Sequence, residues 1–227
     1  MAIELRIGTR IGTFKDPVSA WTHFGGFWAA LVGATLLVGL CIHDPTKATA
    51  MAIYGASLVG LFLASSLYHF FDLGENGNRW LRRVDHGAIF LLIAGSYLPP
   101  LLHFLDGSWR LGMIGGVGAV ALAGVVLKVL WIDSPSWLGL TLYVGLGWVI
   151  LVPAHRILPQ LSAAELVWLV GGGLAYSLGA VVYAWQRPDP WPDRLGHHEI
   201  WHVLVLVGAG CHYGFMLGLV NTPVPPL

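Results

Sequence analysis

The stretch His197-His198-Glu199-Ile200-Trp201-His202 places three imidazoles and a carboxylate within six residues. His198 and His202 are four apart, so a helix projects both from one face, where neutral imidazoles can share a metal ion. Far upstream, Ser65 and His69 repeat that spacing of four, and Asp85 follows Arg82-Arg83 at the head of another apolar run. Three imidazoles and one water would fill a tetrahedral zinc site and leave its fourth position open for chemistry. With His69, His198 and His202 as ligands, Asp85 would orient or deprotonate that water. The same letters also satisfy H-E-x-x-H, the zinc-protease pattern in which Glu199 would be the general base. Against that pattern, no Asp or Glu follows His202, and Val205 stands where the extended signature needs glycine.

Each of these residues also has an ordinary structural reading. Asp85 can cap a helix that begins with it, and Ser65 can bond its own helix backbone. His23, His43, His86, His103, His155 and His197 read, one by one, as interfacial side chains at helix ends.

The elements that must position these groups are membrane helices. Of the 227 residues 56% are hydrophobic and only 11% charged, and the mean hydropathy is +0.70, a composition unlike that of a soluble domain. Seven apolar runs approach the roughly 20 residues that cross a hydrocarbon core: residues 20–42, 50–71, 85–105, 111–131, 136–154, 162–185 and 198–220. The expectation is an all-α, polytopic seven-helix bundle filling residues 1–227 as one domain, with residues 1–19 as a lead-in. Within that lead-in Ile3, Ile7, Ile11 and Phe14 recur at helical spacing among Arg6, Arg10 and Lys15, a pattern suited to the inner membrane surface but weakened by Gly8 and Gly12. No cleavable leader is expected. Cys41 and Cys211 both fall inside spans, which gives neither a disulfide framework nor a cysteine-rich zinc site. Zero net charge carries no signal for nucleic acid. Helix 7 has no lysine for a retinal Schiff base, and no internal repeat suggests a transporter.

Of the 12 Lys and Arg residues, nine lie at the N-terminus or in loops 2–3, 4–5 and 6–7. That bias predicts a cytoplasmic N-terminus and, after seven spans, an external C-terminus. The topology then sorts the ten histidines by depth. His43, His103 and His155 fall at outer ends, and His212 lies about 15 Å beyond His202 at helical rise. His23, His69, His86, His197, His198 and His202 all fall near cytoplasmic ends. Pro99-Pro100 is expected at the outer end or a kink of helix 3, and the many glycines read as close-packing positions.

Three blocks, Ser65-Ser66-Leu67-Tyr68-His69, the run from Arg82-Arg83-Val84-Asp85-His86 to Gly95-Ser96-Tyr97, and His198-Glu199-Ile200-Trp201-His202, together resemble the hemolysin III branch of the progestin and adipoQ receptor family. That resemblance implies seven helices and a zinc ion near the cytoplasmic leaflet. It maps the family's zinc histidines onto His69, His198 and His202, its serine onto Ser65 and its aspartate onto Asp85. It further implies a bacterial plasma-membrane protein and a role in membrane lipid homeostasis, as a hydrolase of an amide or ester bond in a ceramide-like lipid. A non-enzymatic regulator with structural zinc and a pore-forming haemolysin are the alternatives. It carries no prediction of oligomeric state, and nothing supports a protein hormone as ligand.

Overall fold

The computed structural model describes residues 14–191 and 195–222; the reading of the first residues as an interfacial segment falls mostly outside these. The chain runs through α1 (Pro17–Leu40), α2 (Pro45–Phe70), α3 (Gly74–Phe104), α4 (Gly107–Leu130), α5 (Ser136–Gly147), the short α6 (Ala154–Ile157), α7 (Ala163–Trp185) and α8 (His197–Gly218). Among the described residues there is no strand. Six helices are long and apolar enough to cross a membrane, and a bent pair, Ser136–Leu151 and Ala154–Gln160, is long and apolar enough only when taken together across its 41° break. The protein is an all-α polytopic membrane bundle.

Local chemistry sets the helix ends. Pro17 and Pro45 occupy first-turn positions, where a missing N–H costs nothing, and the Asp44 carboxylate accepts the Lys47 N–H at 3.0 Å. At α7 Ser162 and Glu165 cap each other reciprocally, at 3.2 and 2.7 Å. Gly74 turns α2 into α3 with φ 73°, a conformation that a side chain resists.

The distribution of polarity is that of a protein solvated by lipid. Leu111, Leu122 and Leu130 are 72%, 64% and 77% exposed, which in water would be an association hazard and in hydrocarbon is required. Buried instead are Ser65, His69, Asp85, Lys128 and His202, beside Tyr54, Phe90, Leu101 and Phe215. Gly124 lets α4 close on α3, since a Cβ there would overlap the Phe90 ring.

Three expectations need correction. The third helix begins at Gly74 rather than at 85. Its first turns are charged and so escape a hydropathy reading, yet Glu, Asn and Arg continue a helix, and 31 residues reach roughly 46 Å, beyond the hydrocarbon core. Asp85 therefore lies in a helix interior and caps nothing. The fifth apolar run is not one helix: α5 tightens into a 3-10 turn at Trp148–Leu151 and breaks before α6. The Tyr97 hydroxyl covers that break, lying 2.9 and 2.7 Å from the Leu146 and Gly147 carbonyls and accepting from the Ile150 N–H at 2.9 Å. Unpaired backbone groups within a membrane need such partners. Pro99-Pro100 sits in the last turns of α3, near its C-terminal end.

Candidate metal centre

At the end of the bundle where α1 begins, α2 delivers His69 on its last turn, α8 delivers His198 and His202 from its first two turns, and α3 delivers Asp85. One ligand nitrogen from each of His69, His198 and His202 lies within 4.8 Å of the others. The two Nε2 atoms of His198 and His202 are 3.2 Å apart. Two nitrogens about 2.0–2.1 Å from a tetrahedral zinc would be separated by about 3.3–3.4 Å, so the edge formed by α8 has the spacing of ligands on one ion. The donor chemistry fits as well, because neutral imidazoles suit zinc and other borderline divalent metals.

A carboxylate behind His69 strengthens the fit. Asp16, the residue before α1, lies with Oδ2 2.8 Å from His69 Nδ1. A carboxylate can only accept, so Nδ1–H donates, which leaves the Nε2 lone pair available for a metal. Asp16 and its neighbour also bind the end of α2. The Asp16 N–H donates to the His69 carbonyl at 3.0 Å, and Lys15 Nζ donates to the Tyr68 carbonyl at 3.0 Å while lying 3.5 Å from the Tyr68 ring centroid. The hydrogen bond from His69 holds the Asp16 carboxyl below its usual range, against the opposing effect of partial burial, whereas burial lowers Lys15. Sequence spacing alone could not link Asp16 to His69, which is 53 positions away; the available signal was an Asp-Pro pair at the start of a helix.

His23 and His103 are 3% and 8% exposed, so neither is an interfacial side chain. The His23 ring stacks on His202 with centroids 4.0 Å apart, and its Nε2 lies 3.3 Å from the His202 carbonyl. His86 is also packed inside, with Nδ1 buried and unpartnered among the described residues. His43 and His155 are exposed, in keeping with the interfacial reading.

Glu199 has a different task from that of a protease base. Its Oε2 accepts the Gly196 N–H at 2.8 Å, closing the first turn of α8, and its Oε1 accepts from the Ser19 hydroxyl at 3.3 Å. The carboxylate thus ties α8 to α1.

Asp85, Ser65, His198 and His202 line one cavity of about 270 Å³. Ser65 and Asp85 are both buried where they meet this cavity. Much of the remaining wall is apolar, from Leu92 and Ile93 on α3 to Leu169, Val170, Phe215 and Met216 on α7 and α8. The chamber can therefore accept an extended hydrocarbon chain while presenting a carboxylate, a hydroxyl and imidazoles at one end.

Fold and site together define a multi-pass helical membrane protein with a buried three-histidine cluster. Residues 12–213 match the family described as Haemolysin-III related, and the chain belongs to it, in keeping with the hemolysin III branch that its three blocks resemble. It is 32% identical over 207 residues to a hemolysin-3 homolog of Bacillus subtilis (strain 168), covering 88% of this chain and 92% of that one. Identity to a hemolysin-3 of Bacillus cereus is 30% over 208 residues, covering 88% and 90%. An adiponectin receptor protein of Drosophila melanogaster is 27% identical over 227 residues, covering 88% of this chain but 51% of the receptor. The bacterial plasma membrane is the location consistent with these relatives.

Proposed function

We propose that the protein is a zinc-dependent hydrolase of an amide or ester bond in a ceramide-like membrane lipid, and so acts on membrane lipid homeostasis. The observation that carries this reading is that two members of the His69, His198 and His202 cluster, His198 and His202, line an apolar cavity that also holds Asp85 and Ser65. His69, His198 and His202 would hold the ion, with Asp16 fixing the tautomer of His69. Zinc would supply positive charge that polarises the scissile carbonyl and acidifies water to a pKa near about 7.

The chain's own groups do the rest. The apolar wall seats the acyl chain and limits water to the polar end of the cavity. Asp85 Oδ accepts the proton of the attacking water and returns it to the leaving nitrogen or oxygen. Ser65 first holds the Asp85 carboxyl and then donates to the charge developing on the carbonyl oxygen. Burial of Ser65 and Asp85, 2% and 8% exposed, keeps these hydrogen bonds out of competition with bulk water. The positive-inside bias supports placing this end of the bundle at the cytoplasmic leaflet, with the N-terminus inside and the C-terminus outside.

The test is a lipid-hydrolysis screen on purified wild type and Asp85→Asn, with metal analysis of both. Zinc in both proteins with turnover only in wild type supports the hydrolase. Zinc in both with turnover in neither overturns it and favours a regulator with structural zinc.

A further inference from the structure

Lys128 lies two residues from the end of α4 and is 3% exposed. Its ammonium has three protons, yet among the described residues its one hydrogen-bond partner is the Ser134 hydroxyl at 3.0 Å. Among the described residues it makes no ion pair with a carboxylate, and the cation that shares its cavity wall is Arg82. A lysine near a helix end in a membrane ordinarily turns outward to the headgroups. Here the side chain folds inward against α5, which accommodates it at Gly139, where a Cβ would come within 2.7 Å of Nζ. A buried ammonium without an anion is costly, and so is its placement beside a like charge.

Arg82, Lys128, Ser134 and Ser136 line the same cavity as His198 and His202. Arg82 reaches Asp133 only at 3.4 Å, and that exposed carboxylate is already paired with Arg79 at 2.5 Å. The α5 N-terminus, with no side-chain cap from Pro135, adds further positive potential. His86 lines that cavity too, so the cations, His198 and His202 share one chamber.

We propose that Lys128 and Arg82, with the Ser134 hydroxyl and the first turn of α5, bind the phosphate group of an acyl lipid whose chain occupies the cavity. Several oxygens and more than one negative charge suit a guanidinium fork beside an ammonium and a hydroxyl. The apolar remainder of the cavity favours a lipid over free phosphate. The consequence for substrate class, a phosphate-bearing acyl lipid, rests on the hydrolase reading; the binding site does not.

The test uses the full chain in neutral detergent and measures binding of an acyl-labelled phosphatidic acid and of the diacylglycerol with the same chains. Sodium phosphate serves as competitor. Wild type should prefer phosphatidic acid by about 10- to 100-fold, the scale of a charged hydrogen bond. Lys128→Gln should abolish that preference, Lys128→Arg should keep it, and His202→Ala should leave it unchanged. Equal binding of the two lipids by wild type, a comparison that needs no variant to fold, overturns the proposal. So does a preference that survives Lys128→Gln but disappears in His202→Ala, which would put the phosphate on the histidine cluster. Sodium phosphate that competes as well as the lipid would refute the lipid assignment. A preserved preference without any lipid hydrolysis defeats the hydrolase reading and supports this one.

Discussion

Replacing Asp16 tests whether His69 is held for a metal. Asp16 is the N-cap residue of α1, yet its side chain makes no capping hydrogen bond. Its carboxylate is instead spent on His69 Nδ1 at 2.8 Å. The substitution should therefore leave helix stability nearly intact while removing the charge that fixes the imidazole tautomer. Loss of a carboxylate behind a ligating histidine weakens metal affinity by about 10- to 100-fold, or about 1.4–2.7 kcal/mol. Because the Asp16 side chain is 38% exposed, water screens part of its charge, and about 10-fold is expected for Asp16→Asn. Asp16→Ala removes the acceptor as well and should cost more. The assay is zinc competition against a chelator of known affinity, with thermal unfolding in detergent as the folding control. The pH dependence has a definite sign. The His69 hydrogen bond lowers the Asp16 carboxyl in the folded protein, so its contribution is complete above the ordinary carboxyl range and disappears only as pH falls through the lowered value. Between about pH 5 and 8 Asp16 itself therefore stays ionised, so its charge is available behind His69 throughout that range. Unchanged zinc affinity in Asp16→Ala with an unchanged unfolding temperature would refute the reasoning.

Asp85→Asn should keep zinc and lose about 10²- to 10⁴-fold in turnover, the scale of a general base, as read by product release from labelled lipid. Acidification should release zinc from wild type, since ligating imidazoles must be neutral; a chelator titration at falling pH that shows constant affinity would contradict the ligand set. Gly124→Ala should destabilise the contact between α3 and α4 by about 1–3 kcal/mol, because the new Cβ meets the rigid, fully buried Phe90 ring. An unchanged midpoint of thermal unfolding would show that the ring can move aside.

Several features were legible from residue types alone. Apolar runs mark the crossings because lipid requires every turn to be apolar outside, and four-residue spacing places His198 and His202 on one face. The start of α3 was hidden because residues 74–79 and Arg82-Arg83 are polar or glycine, and a largely polar helix extending past the hydrocarbon core looks like a loop when read by hydropathy. The break between α5 and α6 rests on Tyr97, a partner from a different helix, so no local pattern announces it. His23 and His86 read as interfacial because depth can be inferred from position in a span, whereas the side a histidine faces depends on which helices are neighbours. The same limit concealed Asp16 and Lys128. Each acquires its meaning from a residue or cavity wall brought near only by the folded bundle, and Glu199 lost its protease reading once Gly196 and Ser19 were seen to occupy its oxygens.

The central claim is that His69, His198 and His202 form one zinc site. Elemental analysis of the purified full chain beside His202→Ala tests it most directly. About one zinc per chain in wild type, with most of it lost in His202→Ala while the helical content persists, is the expected result. Full zinc occupancy in His202→Ala, or wild type that neither carries zinc nor takes it up when supplied, would contradict the account.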